Sequence, residues 1–334
     1  MFFALVLPAC TPADLAVADK SGVSDSDRPT IGDTASVDTG DTADSSEPVE
    51  TAAPIAYDCA ALGATPTEDN ELDAARAYHD VAFDDQGYII GWDGRSSLVR
   101  ATYDDVFEVY APGFSSVQGI DRLRDGDLVV GDDASQSLTR VSPDGASSVI
   151  ASGIGAVYGV MVGPDGNVYF ASNTSVYRAY PDTGVQEELL SFSRRETPRA
   201  VAFSLDNSTM YIATIGSGNV YSVAVDTTLT PTSEAVVFAE RVGNYWHDGI
   251  GIDACGNVYV PEFGSYGLYR ITPDGTVSTL YRGDLNAYGH GIEWGSGLGG
   301  WRADALYLPQ PYDRNTVREV VIGVPSGNTV RDQL

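Results

Sequence analysis

The chain carries three histidines, His79, His247 and His290, and each stands at the head of a short apolar run. Imidazole is the side chain whose proton moves near neutral pH, and it is also a common metal ligand. Asp248 follows His247 directly, so two imidazoles (His79, His290) and one carboxylate (Asp248) occupy comparable places in the chain. If they face one point, they suit a divalent cation, with zinc, iron or manganese favoured over calcium by the nitrogen donors. Glu262 and Asp132, on nearby loops, would add oxygen ligands, and a site dominated by oxygen would turn toward calcium. The comparable heads of other runs are Gln118, Tyr158 and Arg199. Arg199 is suited to holding a carboxylate or a developing oxyanion, and Tyr158 to donating or relaying a proton; these two are the candidate catalytic side chains. Gln118, Asp132 and His247 are candidate substrate contacts. His247 is offset by one residue, which turns it toward the interior or behind a ligand. The plain alternative is a solvated ring of polar residues with no chemistry.

What must position these heads is a repeat. The stretch 248–275, DGIGIDACGNVYVPEFGSYGLYRITPDG, reads as a short strand, a tight turn, a strand VYV, a loop, and a strand LYRI closed by Pro273-Asp274-Gly275. Aromatic and β-branched runs separated by Gly, Asn, Asp and Pro are strands and turns. The second strand recurs as YIIGWD, LVVGDD, VYFASN, MYIATI, VYVPEF and LYLPQP, and the third carries Arg100, Arg140, Arg178 and Arg270 at one offset. Successive heads from His79 to His290 are 39, 40, 41, 49 and 42 residues apart. A four-stranded unit of about forty residues is the signature of a propeller blade. The expected fold is all-β, a six-bladed β-propeller over 57–334, with the long fourth interval absorbed by an insertion at 226–232. The last blade runs out of chain, so its outer strand is expected from 67–72, with 328–334 as the alternative. In a closed ring the fifth, sixth and first blades are neighbours, which brings His79, Asp248 and His290 to one side of the channel mouth. Asn173-Thr174-Ser175 and Asn207-Ser208-Thr209 match a glycosylation acceptor but read as turns.

The remainder sets the context. In 334 residues there are 19 basic against 47 acidic side chains, a net charge of -28 that repels nucleic acid and excludes it as a partner. Residues 1–10 form a short apolar run ending in Cys10, expected as a lipoprotein-type signal with Cys10 as the lipidated residue. Residues 11–56 are rich in Asp, Ser, Thr, Ala and Pro, a composition that cannot bury enough apolar surface to order itself, and are expected as a tether. These features imply a monomer anchored by lipid at the outer membrane, the cell surface or within the periplasm. The remaining thiols, Cys59 and Cys255, are then expected as a disulfide, against the alternative of two buried free thiols.

The segment from His247 to Ala254, followed by Gly256-Asn257-Val258-Tyr259-Val260, resembles the PDG-led strand pair of the senescence marker protein/gluconolactonase family, with related phrasing in NHL-repeat propellers. The likeness spans roughly 67–325. It implies a six-bladed propeller with one divalent cation in the channel that hydrolyses sugar lactones or related esters. The family's aspartate ligand matches Asp248. Its leading glutamate falls at His79, and its two asparagine ligands fall near Tyr158 and at Arg199, so the ligand set has diverged. NHL-type amidating lyases also resemble the residue types, through histidine-bound zinc beside Tyr and Arg. The expected function is a metal-dependent hydrolase or lyase acting on a small sugar-like or anionic molecule at the mouth. The alternative is a non-catalytic surface module that binds a glycan or a protein.

Overall fold

The computed structural model describes residues 56–331 apart from 74, 105–106, 264–266, 283–289 and 312–315. The expected signal, Cys10 and the tether up to residue 55 lie outside the described residues. Those described form six four-stranded antiparallel sheets. Blade 1 is Val81–Phe83, Ile89–Trp92, Ser97–Ala101 and Phe107–Pro112. Blades 2 to 5 repeat this order from first strands Val117–Arg122, Val157–Val162, Thr197–Phe203 and Gly251–Ile252. Blade 6 holds Glu293–Trp294, Ala305–Gln310 and Thr316–Val321, and its outer strand is Glu68–Leu72 from the other end of the chain. The pairing runs from Glu68 opposite Val321 to Leu72 opposite Val317. The N-terminal closure therefore holds, and it covers an edge that would otherwise lie open. The C-terminal segment instead forms a short helix, Gly327–Arg331. Arg331 Nε donates to Ser204 O, and Ser326, Asn328 and Arg331 line the far end of the central channel.

Local chemistry explains the strands. Second strands such as Leu128–Asp132 are buried along their whole length because both faces meet neighbouring blades. Outer strands such as Ser147–Ser152 are mostly exposed. The turn after the first strand of blades 1 to 5 is closed by a carboxylate: Asp84 Oδ1 accepts from the backbone of Gln86 and Tyr88, and Asp253 Oδ1 accepts from Cys255 and Asn257. Asn173 and Asn207 hold φ of 52° and 56°, as turn residues do. The core lies between blades: Ala82 and Ile90 of blade 1 pack with Ile120 and Val130 of blade 2. Cys59 and Cys255 form the expected disulfide, with Cα atoms 5.5 Å apart.

Candidate active site at the channel mouth

Five of the six strand heads reach the mouth because their backbones are released from the ladder, while Tyr158 stays paired with Ala171 and the slip falls just after it. The pairing slips between Val117 and Gly119 and between Pro198 and Ala200, leaving Gln118 and Arg199 as bulge residues. A bulge re-aims its side chain. His79, Asp248 and His290 lie just before their strands. Small residues after the heads let first strands approach backbone to backbone. A Cβ at Gly159 would fall 2.3 Å from Arg199 O, and one at Gly291 would fall 2.1 Å from Asp80 Oδ1. Gly291 N donates to His79 O at 2.6 Å, joining the heads of blades 6 and 1.

His79, Gln118, Tyr158, Arg199, Asp248 and His290 line one small mouth cavity of about 10 Å³. His290 Nδ1 is 2.9 Å from Asp248 Oδ2 and 3.1 Å from His79 Nδ1. An ionised carboxylate only accepts, so the shared proton belongs to His290 Nδ1, and His79 Nδ1 offers its lone pair. Arg199 Nε stands 3.4 Å from Asp248 Oδ1, and its guanidinium lies 3.7 Å from the Tyr158 ring centroid. Burial, then the charges of His290 and Arg199, outweigh Asp248 and push the His79 imidazole down to about 3, so it is neutral at physiological pH. Burial pushes the Asp248 carboxyl up, but the His290 hydrogen bond and the charges of His290, Arg199 and His79 hold it below the ordinary aspartate value.

Three expected participants stand elsewhere. Asp132 is buried and accepts from the backbone of Ser115, Ala134 and Ser135, so it fastens a loop. Glu262 is buried beside His247, with Tyr245 N donating to Oε1. His247 is fully buried, Nε2 pairs with Val242 O, and burial lowers its pKa. None of the three lines the mouth cavity. Strand alternation explains this, since a one-residue offset sends a side chain to the other face.

A second feature was missed in the sequence. Below the mouth the channel is lined by Asp80, Asp121 and Glu293, on first strands of adjacent blades 1, 2 and 6. Asp80 Oδ2 accepts Ile120 N from blade 2, and Asp121 Oδ2 accepts Val162 N from blade 3. Burial raises all three, Asp121 to about 6, against these backbone hydrogen bonds. The signal was an acid one or three residues after a head (His79-Asp80, Gln118 to Asp121, His290 to Glu293).

Residues 176–284 match the family model described as the SMP-30/Gluconolactonase/LRE-like region. The resemblance read from the sequence stands. Among solved structures, this propeller is similar to a gluconolactonase from Xanthomonas campestris, at 18% identity over 83% of this chain and 99% of that one, TM-score 0.65. It is similar to regucalcin, a calcium-binding protein from Agrobacterium tumefaciens, at 17% identity over 78% and 96%, TM-score 0.64. A virginiamycin B lyase from Staphylococcus aureus aligns at 14% identity over 76% and 98%, TM-score 0.56. No curated protein matches in sequence. The shared fold spans several chemistries, so function rests on the site.

The residues at the mouth do not fit a metal. Among the described residues no group of three or more His, Cys, Asp or Glu side chains is arranged to hold one. His79, His290 and Asp248 come together as a hydrogen-bonded chain, with the His290 Nδ1 proton lying between the other two. Arg199 adds a fixed cation beside Asp248.

Proposed function

We propose that the mouth is the active site of a hydrolase of lactones or related esters of small, sugar-like or anionic molecules, working by acid–base chemistry. The observation that carries this reading is the chain Asp248–His290–His79 with Arg199 beside it. Asp248 holds His290 with its proton on Nδ1, which makes Nε2 the basic nitrogen, as in the acyl-transfer triads. His290 Nε2, which is buried, takes a proton from a water that enters with the substrate, as the water oxygen bonds to the acyl carbon. The former carbonyl oxygen becomes an oxyanion, met by the Arg199 guanidinium and the Tyr158 hydroxyl. The C–O bond then breaks, the departing alkoxide recovers the proton from His290, and the product is a hydroxy acid whose carboxylate pairs with Arg199. Neutral His79 accepts at Nδ1 and fixes the ring of His290 without adding charge. Family kinship of residues 176–284 favours lactones over other esters.

The disulfide supports an oxidising compartment. We therefore read the head as exported and the chain as a monomer tethered through lipid on Cys10; a Cys10→Ala chain that still sediments with membranes overturns the tether.

The test of function is turnover of a panel of aldonolactones and aryl esters by the full chain, with and without a chelator. The expected result is hydrolysis that survives chelation and falls at least a hundredfold in His290→Ala. Loss on chelation with recovery on zinc, iron or manganese transfers the same residues to a metal mechanism. A folded chain that binds a glycan or peptide and turns over nothing leaves the binding module.

A further inference from the structure

The mouth cavity, at about 10 Å³, has room for about one water-sized group. Beside it lies an open cleft of about 570 Å³ over blades 4 and 5, lined by Arg194, Arg195, Glu196, Gly216, Tyr245 and Trp246. One ring touches a lining residue of each. Phe263 lies 5.1 Å from the Trp246 indole and 4.9 Å from the His290 imidazole, centroid to centroid.

The cleft is held in shape. A Cβ at Gly216, whose φ is +111°, would fall 1.9 Å from Arg195 O, so only glycine lets the two walls touch. Val242 N donates to Gly218 O and His247 N to Thr214 O, which fastens the third wall to the second. Trp246 itself sits at φ +77°, a conformation that costs a bulky residue energy and persists where the surroundings impose it. Its indole Nε1 is buried and has no hydrogen-bond partner among the described residues.

Charge identifies the occupant. In a chain of net charge -28, Arg194 and Arg195 are exposed side by side with no ion pair among the described residues. Glu196, in the same cleft, keeps its charge while accepting from Ser217 Oγ at 2.6 Å and Thr214 Oγ1 at 3.3 Å, so the cleft carries two positive charges against one negative. Two guanidinium groups next to exposed Tyr245 and the Trp246 face match an anion carried on an aromatic or apolar body.

We propose that this cleft is a second subsite, holding the distal part of the mouth's substrate: a carboxylate, phosphate or sulfate on an aromatic or apolar frame. The assignment of that ligand as a substrate rests on the hydrolase reading; binding in the cleft does not. The probe is 2-naphthoate against its uncharged counterpart 2-naphthamide, with affinities for the full chain read by titration calorimetry. The acid is expected to bind about tenfold tighter, through charge-assisted contacts to the arginines. Arg194→Gln with Arg195→Gln erases that difference, Trp246→Leu weakens both probes, and Arg199→Gln leaves the difference in place. Equal binding of the two probes, or a difference that vanishes with Arg199→Gln and survives the loss of the arginine pair, overturns the subsite. Turnover is not needed for this comparison. A chain that cleaves no ester still tests the cleft, and a chain that cleaves esters yet fails the comparison sinks the cleft alone.

Discussion

His290 Nδ1 lies 2.9 Å from Asp248 Oδ2, a contact across the seam between blades 6 and 5. The carboxylate fixes which ring nitrogen carries the proton. Asp248→Asn presents an amide of the same shape that can donate to His290 Nδ1 and reverse the tautomer. The expected loss is on the order of 10²–10⁴ in kcat, with the melting temperature within a few degrees of native. Turnover within twofold of native, on any lactone or ester that the chain cleaves, removes His290 from the role of base.

His79 gives a pH signature. Its pKa is down to about 3 in the fold, against 6.5 for a free histidine. Between those values the unfolded chain binds a proton that the folded chain refuses, so the stability this group contributes is present above about pH 6.5 and is lost as pH falls toward 3. Replacing it by His79→Gln flattens that limb. From pH 7 to pH 4.5 the variant should lose about 2 kcal/mol less unfolding free energy than the native chain in urea titrations. Parallel curves for the two proteins contradict a buried neutral imidazole.

Arg199 stacks on Tyr158 while facing Asp248. A lysine keeps the charge but loses the planar group that both stacks and forks. Arg199→Lys is expected to raise KM for anionic substrates about tenfold, whereas Tyr158→Phe keeps the ring and leaves KM within about threefold. An equal rise in both variants places the anion on the tyrosine hydroxyl instead.

The propeller was legible because its signals are local and repeated six times. Strand runs, turn clusters and head intervals each restate the same unit, and the need to cover an edge pointed to the strand at Glu68–Leu72. The shared arginines were visible as an offset, but their role was not: Arg100 meets Glu108 and Arg178 meets Glu187 on the adjacent outer strand. At the site, the convergence of His79, Asp248 and His290 followed from ring order alone. Asp132 and Glu262 were misplaced because they close second strands, Leu128–Asp132 and Val258–Glu262, rather than standing in loops, and their carboxylates turn to backbone amides. The channel acids escaped notice because their partners are backbone amides of the next blade, forty residues away.

Glu293 faces Asp80 and Asp121 in the channel, and burial together with those two charges raises its pKa well above the ordinary value. A raised carboxyl contributes stability that is complete below the unfolded pKa and is lost as pH rises through the folded one. Glu293→Gln removes the ionisation and keeps an oxygen to accept Trp294 N. Relative to native, the variant should gain on the order of 1 kcal/mol at pH 8 and nothing at pH 4, read by denaturant unfolding at both values. A variant less stable at pH 8 means that the carboxylate is charged and paired there.

Cys59 and Cys255 join positions 196 residues apart, tying the segment just before the closing strand to the strand turn of blade 5. The bond holds the chain's own ends of the ring together at two places, since the next described strand, Glu68–Leu72, completes blade 6. Without the bond, the closing strand is kept by its ladder and by side-chain contacts such as Asn70 to Glu319 and Arg318 to Asp69, and it is exposed along most of its length. Cross-linking so large a loop constrains the unfolded chain, and losing such a bond costs about 2–5 kcal/mol. Cys59→Ser with Cys255→Ser, or reduction of the native protein, should lower the melting temperature by several degrees. In hydrogen exchange, amides of Glu68–Leu72 and Thr316–Val321 should lose protection before those of blades 2 and 3. Uniform loss of protection, or an unchanged melt, shows that the ring closes on side-chain packing such as Leu72 against Val317 and Val321 rather than on the bond.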